Sequence, residues 1–156
     1  MTEQEYFEFL ESGIAKLPEQ EQAKIFKTCA EKCVEGTVLK VMRQQFEECG
    51  CSLDAQYTKY GHTEFFWAKI IEPNHIYELG YPRCFCPMVE KGFAKSIVHC
   101  ECSRQSILQV LNNLLPNNKI EVKTISTVLS GADKCTFRVT VSEIFDYLCT
   151  QNEDEV

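Results

Sequence analysis

The chain predicts an α+β fold, with helices first, then two strands, helices again, and two closing strands. Three observations carry this. Residues 2–47 place apolar side chains at helical spacing behind clear start signals. Ser103 to Leu115 repeats that spacing until Pro116-Asn117-Asn118 stops it. Lys134 to Val141 then switches to strict alternation. The implied architecture is an antiparallel sheet of about four strands covered on one face by helices.

The elements follow in order. Thr2-Glu3-Gln4-Glu5 fits a capping box, the Thr2 oxygen accepting the Glu5 amide while Glu5 reaches back. Tyr6, Phe9, Leu10, Ile14 and Leu17 then form one apolar face. Pro18 opens a second helix, where a missing amide costs nothing, with Ile25, Phe26, Cys29 and Cys33 as its buried stripe. Gly36-Thr37 breaks the run, and Val38, Val41, Met42 and Phe46 mark a third helix. Cys49-Gly50-Cys51 ends it, Gly50 suiting a left-handed cap.

Glu64 to Ile71 and His75 to Tyr81, separated by Glu72-Pro73-Asn74, read as an antiparallel pair. Cys86-Pro87 opens a short helix reaching about Ile97. Lys119 to Leu129 and Lys134 to Val141 form the last hairpin, with Cys135, Phe137, Val139 and Val141 on the buried face. Setting Leu129 opposite Cys135 brings Thr127 beside that thiol, and Asp133 serves the turn. Residues 1–150 make one domain, 1–51 its helical N-terminal part, and 151–156 an acidic tail expected to fray.

Composition removes several classes. With 44% hydrophobic and 25% charged residues the mixture is that of a globular domain, and no apolar run approaches a membrane span. A net charge of −7 and the Glu153-Asp154-Glu155 end argue against nucleic acid, which is bound by neutralising phosphates. The acidic N-terminus does not read as an export signal, so a cytoplasmic, reducing setting is expected.

Sulfur is the chemical signature. Ten cysteines include three Cys-x-Cys pairs, Cys49/Cys51, Cys84/Cys86 and Cys100/Cys102, together with Cys29, Cys33, Cys135 and Cys149. Cys84, Cys86, Cys100 and Cys102 offer four thiols for a zinc tetrahedron, with Cys135 able to replace any of them. One intervening residue leaves each pair less freedom to converge than Cys-x-x-Cys, so thiols that pack or stay free are the competing reading. A helix N-terminus lowers a thiol pKa, which marks Cys86, before Pro87, and Cys102, before Ser103, as candidate catalytic nucleophiles. The same positions equally suit small capping residues. His99 is adjacent to Cys100, but neighbours in an extended segment face opposite ways. Cys29 and Cys33, one helical turn apart, read as packing groups, and His62 and His75 as surface residues.

Cys84-Phe85-Cys86-Pro87, then Cys100-Glu101-Cys102-Ser103 leading into an amphipathic helix, then Thr127 through Gly131 to Cys135-Thr136-Phe137, resembles a superfamily of small ligand-binding domains. It comprises the vinyl-reductase-like sensors and the family named for L-2-amino-thiazoline-4-carboxylate hydrolase, over residues 64–141. The resemblance implies a pocket between sheet and helices for a small, often apolar molecule. The zinc of the sensors would fall on Cys100 or Cys102, Thr124, Thr127 and Cys135. Two hydroxyls there replace a carboxylate and a thiolate, so that zinc site is not expected, and Thr127 before Gly131 looks more like the hydrolase-named family or a cysteine-rich branch.

Three functions compete. The first is binding of an apolar or heterocyclic small molecule, with Phe65, Trp67, Cys135 and Phe137 as walls and Thr124, Thr127 and Arg138 as polar groups. The second is a hydrolase opening a small heterocyclic ring through Cys86 or Cys102. The third is a zinc or redox module of clustered thiols. Any signal would leave through a partner or a homodimer formed by the N-terminal helices.

Overall fold

The computed structural model describes residues 1–143. Cys149, the domain boundary at 150 and the acidic tail lie outside the described residues. The fold is α+β. Helices α1 (Glu3–Ala15), α2 (Glu19–Val34), α3 (Thr37–Glu48) and α4 (Leu53–Tyr60) precede strands β1 (Trp67–Glu72) and β2 (Ile76–Tyr81). A single turn of helix, α5 (Pro87–Glu90), and a 3-10 turn (Ile97–Cys100) lead into α6 (Glu101–Leu114). Strand β3 (Asn118–Ser126), a second 3-10 turn (Val128–Ser130) and β4 (Cys135–Glu143) complete it.

All four strands pair antiparallel in the order β1-β2-β4-β3, which puts the last strand inside the sheet. Cys135, Phe137, Val139 and Val141 of β4 are buried while Arg138 is exposed, so the alternation read from sequence holds. Phe137 and Val139 are 0% exposed, and Leu111 of α6, Tyr77 and Leu79 of β2 and Tyr57 of α4 join them in one core cluster. Helix α6 packs on β3 and on α2, which makes it the bridge between sheet and N-terminal helices.

The hairpin register differs from the expected one. Thr124 lies opposite Phe137 and Val122 opposite Val139, with an irregularity between Thr124 and Ser126. Leu129 and Thr127 belong to no strand: Thr127 caps the 3-10 turn, its Oγ1 accepting from the Ser130 amide at 3.2 Å. A capping threonine ends a strand as readily as it extends one, which is why the strand stops early.

Two helices are rotated from the expected orientation. On α1, Tyr6, Phe9 and Leu10 face outward, Phe9 at 70% exposure, as does Leu17 beyond its end, and the inward residues are Phe7, Glu11 and Ile14. Phe7 stacks on Phe93 at 5.0 Å, and Glu11 Oε2 accepts the amides of Lys95 and Ser96 at 3.1 and 3.0 Å. These contacts, made across the sequence, decide which side turns in. On α2 the buried stripe is Phe26, Ala30 and Val34, so Cys29 and Cys33 stand exposed instead of packing. The α1 capping box is present, with Thr2 donating to Glu5 Oε2 at 2.7 Å.

Helix α4 has no counterpart among the expected elements. Gly50 and Cys51 both adopt positive φ, and Ser52 then caps α4 by accepting the Ala55 amide at 3.3 Å. Gly80 permits the closest approach in the sheet: a Cβ there would strike the Cys135 carbonyl. Trp67, opposite Gly80, sends its indole N–H across to that same carbonyl at 3.2 Å. His75 is half-buried, its Nδ1 2.7 Å from the Val141 carbonyl oxygen, where a surface residue was expected.

Candidate functional site

The segment from Cys84 to Cys102 crosses the helical end of the sheet, and its local geometry gathers the thiols. Cys86 precedes Pro87, whose ring fixes the first turn of α5. Ser96 caps the next turn by accepting the Val98 amide at 3.3 Å. That turn is 3-10, so His99 and Cys100 do not alternate as they would in a strand.

His99 consequently reaches Cys86 and not Cys100. A hydrogen bond from the imidazole, helped by the Val89 and Met88 amides, holds the Cys86 thiol below its ordinary range despite burial. The same contact raises the imidazole pKa. Glu11 stands behind the ring, Oε1 lying 3.7 Å from His99 Nδ1, and the ring packs edge-on to Phe26 at 5.6 Å. Glu11 is only 6% exposed, and this Oε1 has no hydrogen-bond partner among the described residues.

The other thiols go the opposite way. Burial pushes Cys102 up to about 12, aided by the nearby sulfurs of Cys33, Cys29 and Cys86. Cys102 lies inside the first turn of α6, which starts two residues before the expected point, so it is not a helix-start thiolate. Burial also raises Cys100, partly offset by a hydrogen bond from Thr127, and it raises Cys135, partly offset by the Val128 amide. Cys84 is felt electrostatically by Cys100 and Cys135.

Cys100 feels the charge of Cys135, Cys84 and Cys86, and Cys102 that of Cys33, Cys29 and Cys86. These sulfurs do not close on a common centre: among the described residues no group of three or more His, Cys, Asp or Glu side chains is arranged to hold a metal ion. All nine described cysteines are free.

Beside the cluster lies an open cleft of about 710 Å³, between the α1–α2 corner, the start of α6 and the end of β3. Cys100, Glu101, Arg104, Thr124 and Thr127 line it. Arg104 is anchored to Glu101 through Nε at 2.9 Å and Nη2 at 2.6 Å, and Nη1 donates to the Val122 carbonyl at 2.9 Å. Gln105 donates to the same carboxylate at 2.9 Å. The pair is a rigid polar wall.

Of the expected ligand-binding residues, only Thr124 and Thr127 line this cleft. Phe137 and Cys135 are core residues, because α6 packs directly on the sheet where a cavity was expected. Phe65 is 58% exposed with its ring on Phe85, and Trp67 is engaged by Cys135 and by Lys134 Nζ, 3.7 Å over its ring. Arg138 points to the open face, where it pairs with Glu78 at 2.6 Å.

Glu11, Glu101 and Arg104 escaped sequence reasoning. Glu11 had a signal, a carboxylate spaced with Phe7 and Ile14, but it is legible only once the inward face of α1 is known. No helix among the described residues is long and apolar enough to cross a membrane. No protein-family model, curated protein or solved structure matches the chain.

Proposed function

We propose that the chain is a small-molecule-binding domain whose ligand, heterocyclic in character, sits in the cleft between the α1–α2 corner, α6 and β3. The carrying observation is the cleft itself: about 710 Å³ is within the range of small-molecule pockets, and its wall mixes hydroxyls with a pre-anchored arginine. Thr124 supplies an exposed hydroxyl, Ile125 and Val98 supply apolar surface, and Cys100 brings the thiol cluster to the rim. A planar ring with polar edges satisfies such a wall better than a purely apolar guest. The order of elements and the left-handed Gly131 after Thr127 support grouping the chain with the vinyl-reductase-like and hydrolase-named domains. Free thiols suit a cytoplasmic setting.

Thermal unfolding against a panel of heterocyclic compounds tests this reading. A ligand that binds the folded state alone raises the melting temperature with concentration. The expected result is a saturable rise that Thr124→Val reduces without changing the unliganded melting temperature. A panel without effect, or a rise indifferent to Thr124→Val, overturns it.

A further inference from the structure

A second site, beside the cleft and sharing Cys100 with it, is built around Cys86. We propose that Cys86, His99 and Glu11 form a thiol–disulfide exchange centre that accepts low-molecular-weight disulfides, with Cys100 or Cys102 as the resolving thiol.

The geometry has three parts. Cys86 is half-buried at the start of α5 and hydrogen-bonded to His99. His99 is held from behind by Glu11, whose Oε2 is clasped by the Lys95 and Ser96 amides, leaving Oε1 unpartnered among the described residues and 3.7 Å from Nδ1. A buried carboxylate with a spare oxygen beside an imidazole favours the protonated ring, and a protonated ring favours the thiolate. Cys100 and Cys102 both feel the charge of Cys86, and burial raises the pKa of both. The groups facing His99 are Glu11 from α1, Phe26 from α2 and Cys86 from the start of α5.

This division of labour orders the steps. The Cys86 thiolate attacks one sulfur of R–S–S–R; that bond breaks, Cys86–S–S–R forms, and R–S⁻ takes the imidazolium proton. Cys100 or Cys102 then gives its proton to solvent, its sulfur attacks Cys86 Sγ and the second R–S⁻ is expelled, taking up a proton from solvent in turn. Two protein thiols become one disulfide, and one external disulfide becomes two thiols. Neutral thiols are poor first attackers, so entry is confined to Cys86.

The aryl disulfide dithiobis(nitrobenzoate), substoichiometric and at mildly acidic pH, tests the proposal on the full chain, with peptide mass mapping. Cys86 is expected to react first, ahead of the exposed Cys29 and Cys51, and both halves of the reagent should leave the protein. His99→Gln should slow Cys86 about tenfold and move its reactivity to higher pH without altering Cys51. Glu11→Gln, which keeps an acceptor for the two amides, should give a smaller slowing at nearly unchanged melting temperature. Cys86→Ser should abolish the fast phase. Reaction first at Cys29 or Cys51, or a Cys86 rate indifferent to His99→Gln, overturns the centre. Retention of half the reagent on Cys86 overturns the resolving role.

Discussion

The sheet-facing side of α6 and its first turn sit on one helix and follow opposite rules. Along the sheet, Leu111 and Leu114 belong to the same buried apolar cluster as Phe137, Val139 and Tyr77. At the first turn, Cys100, Cys102, Glu101 and Arg104 replace hydrocarbon with thiols and a paired charge, and open space begins. Packing fixes position at one end so that chemistry can be held at the other. Substitutions should therefore separate stability from reactivity.

The largest expected effect is in the packed region. Phe137→Ala should cost about 3–5 kcal/mol in urea unfolding, because its neighbours cannot collapse into the space. Tyr77→Phe removes the 2.7 Å bond from its hydroxyl to Asp54 Oδ1 and should cost about 1.5–3 kcal/mol, as expected for a hydrogen bond to a charged group. Neither should change the order in which the cysteines are alkylated under native conditions. If Tyr77→Phe made Cys86 and Cys102 equally reactive, the two regions would not be separable.

Smaller effects belong to the thiol region and its surroundings. The raised His99 pKa means that protonation of this ring stabilises the fold fully below its ordinary value of 6.5. That contribution is lost as pH rises through the folded-state value. Cys86 runs the other way: its contribution is in place above the ordinary thiol value of 9.0 and is lost as pH falls through the lowered one. Cys86→Ser should bring the His99 titration, followed by NMR, back toward the ordinary imidazole range. Thr2→Ala should cost about 1 kcal/mol through the lost cap. Arg138→Ala, on the open face, should change stability by less than about 1 kcal/mol, since its ion pair with Glu78 is largely solvated.

What could be read from the sequence follows the same division. The alternation of Cys135 to Val141 and the stop at Pro116 are local signals, and the strand and α6 appear where they point. The α1 capping box is local too. The orientations of α1 and α2 are not local: each has apolar residues on more than one side, and Phe93, Lys95 and Ser96, some eighty residues onward, select the face. The partners of the individual thiols were not legible. His99 serves Cys86 because a 3-10 turn replaces an extended segment, and Cys102 is neutral because burial raises its pKa. The register shift at Ile125 likewise removed Thr127 from the strand and gave it to Cys100.

The Glu11 clasp ties the opening helix to a sulfur 75 residues onward in sequence. Lifting α1 off the Lys95–Ser96 backbone withdraws the carboxylate from behind the imidazole, and the Cys86 sulfur loses the charge that sustains it. Docking of the first thirteen or so residues of helix is thereby written into the reactivity of a single atom, so a thiol reagent can serve as a gauge of whether the N-terminus is seated.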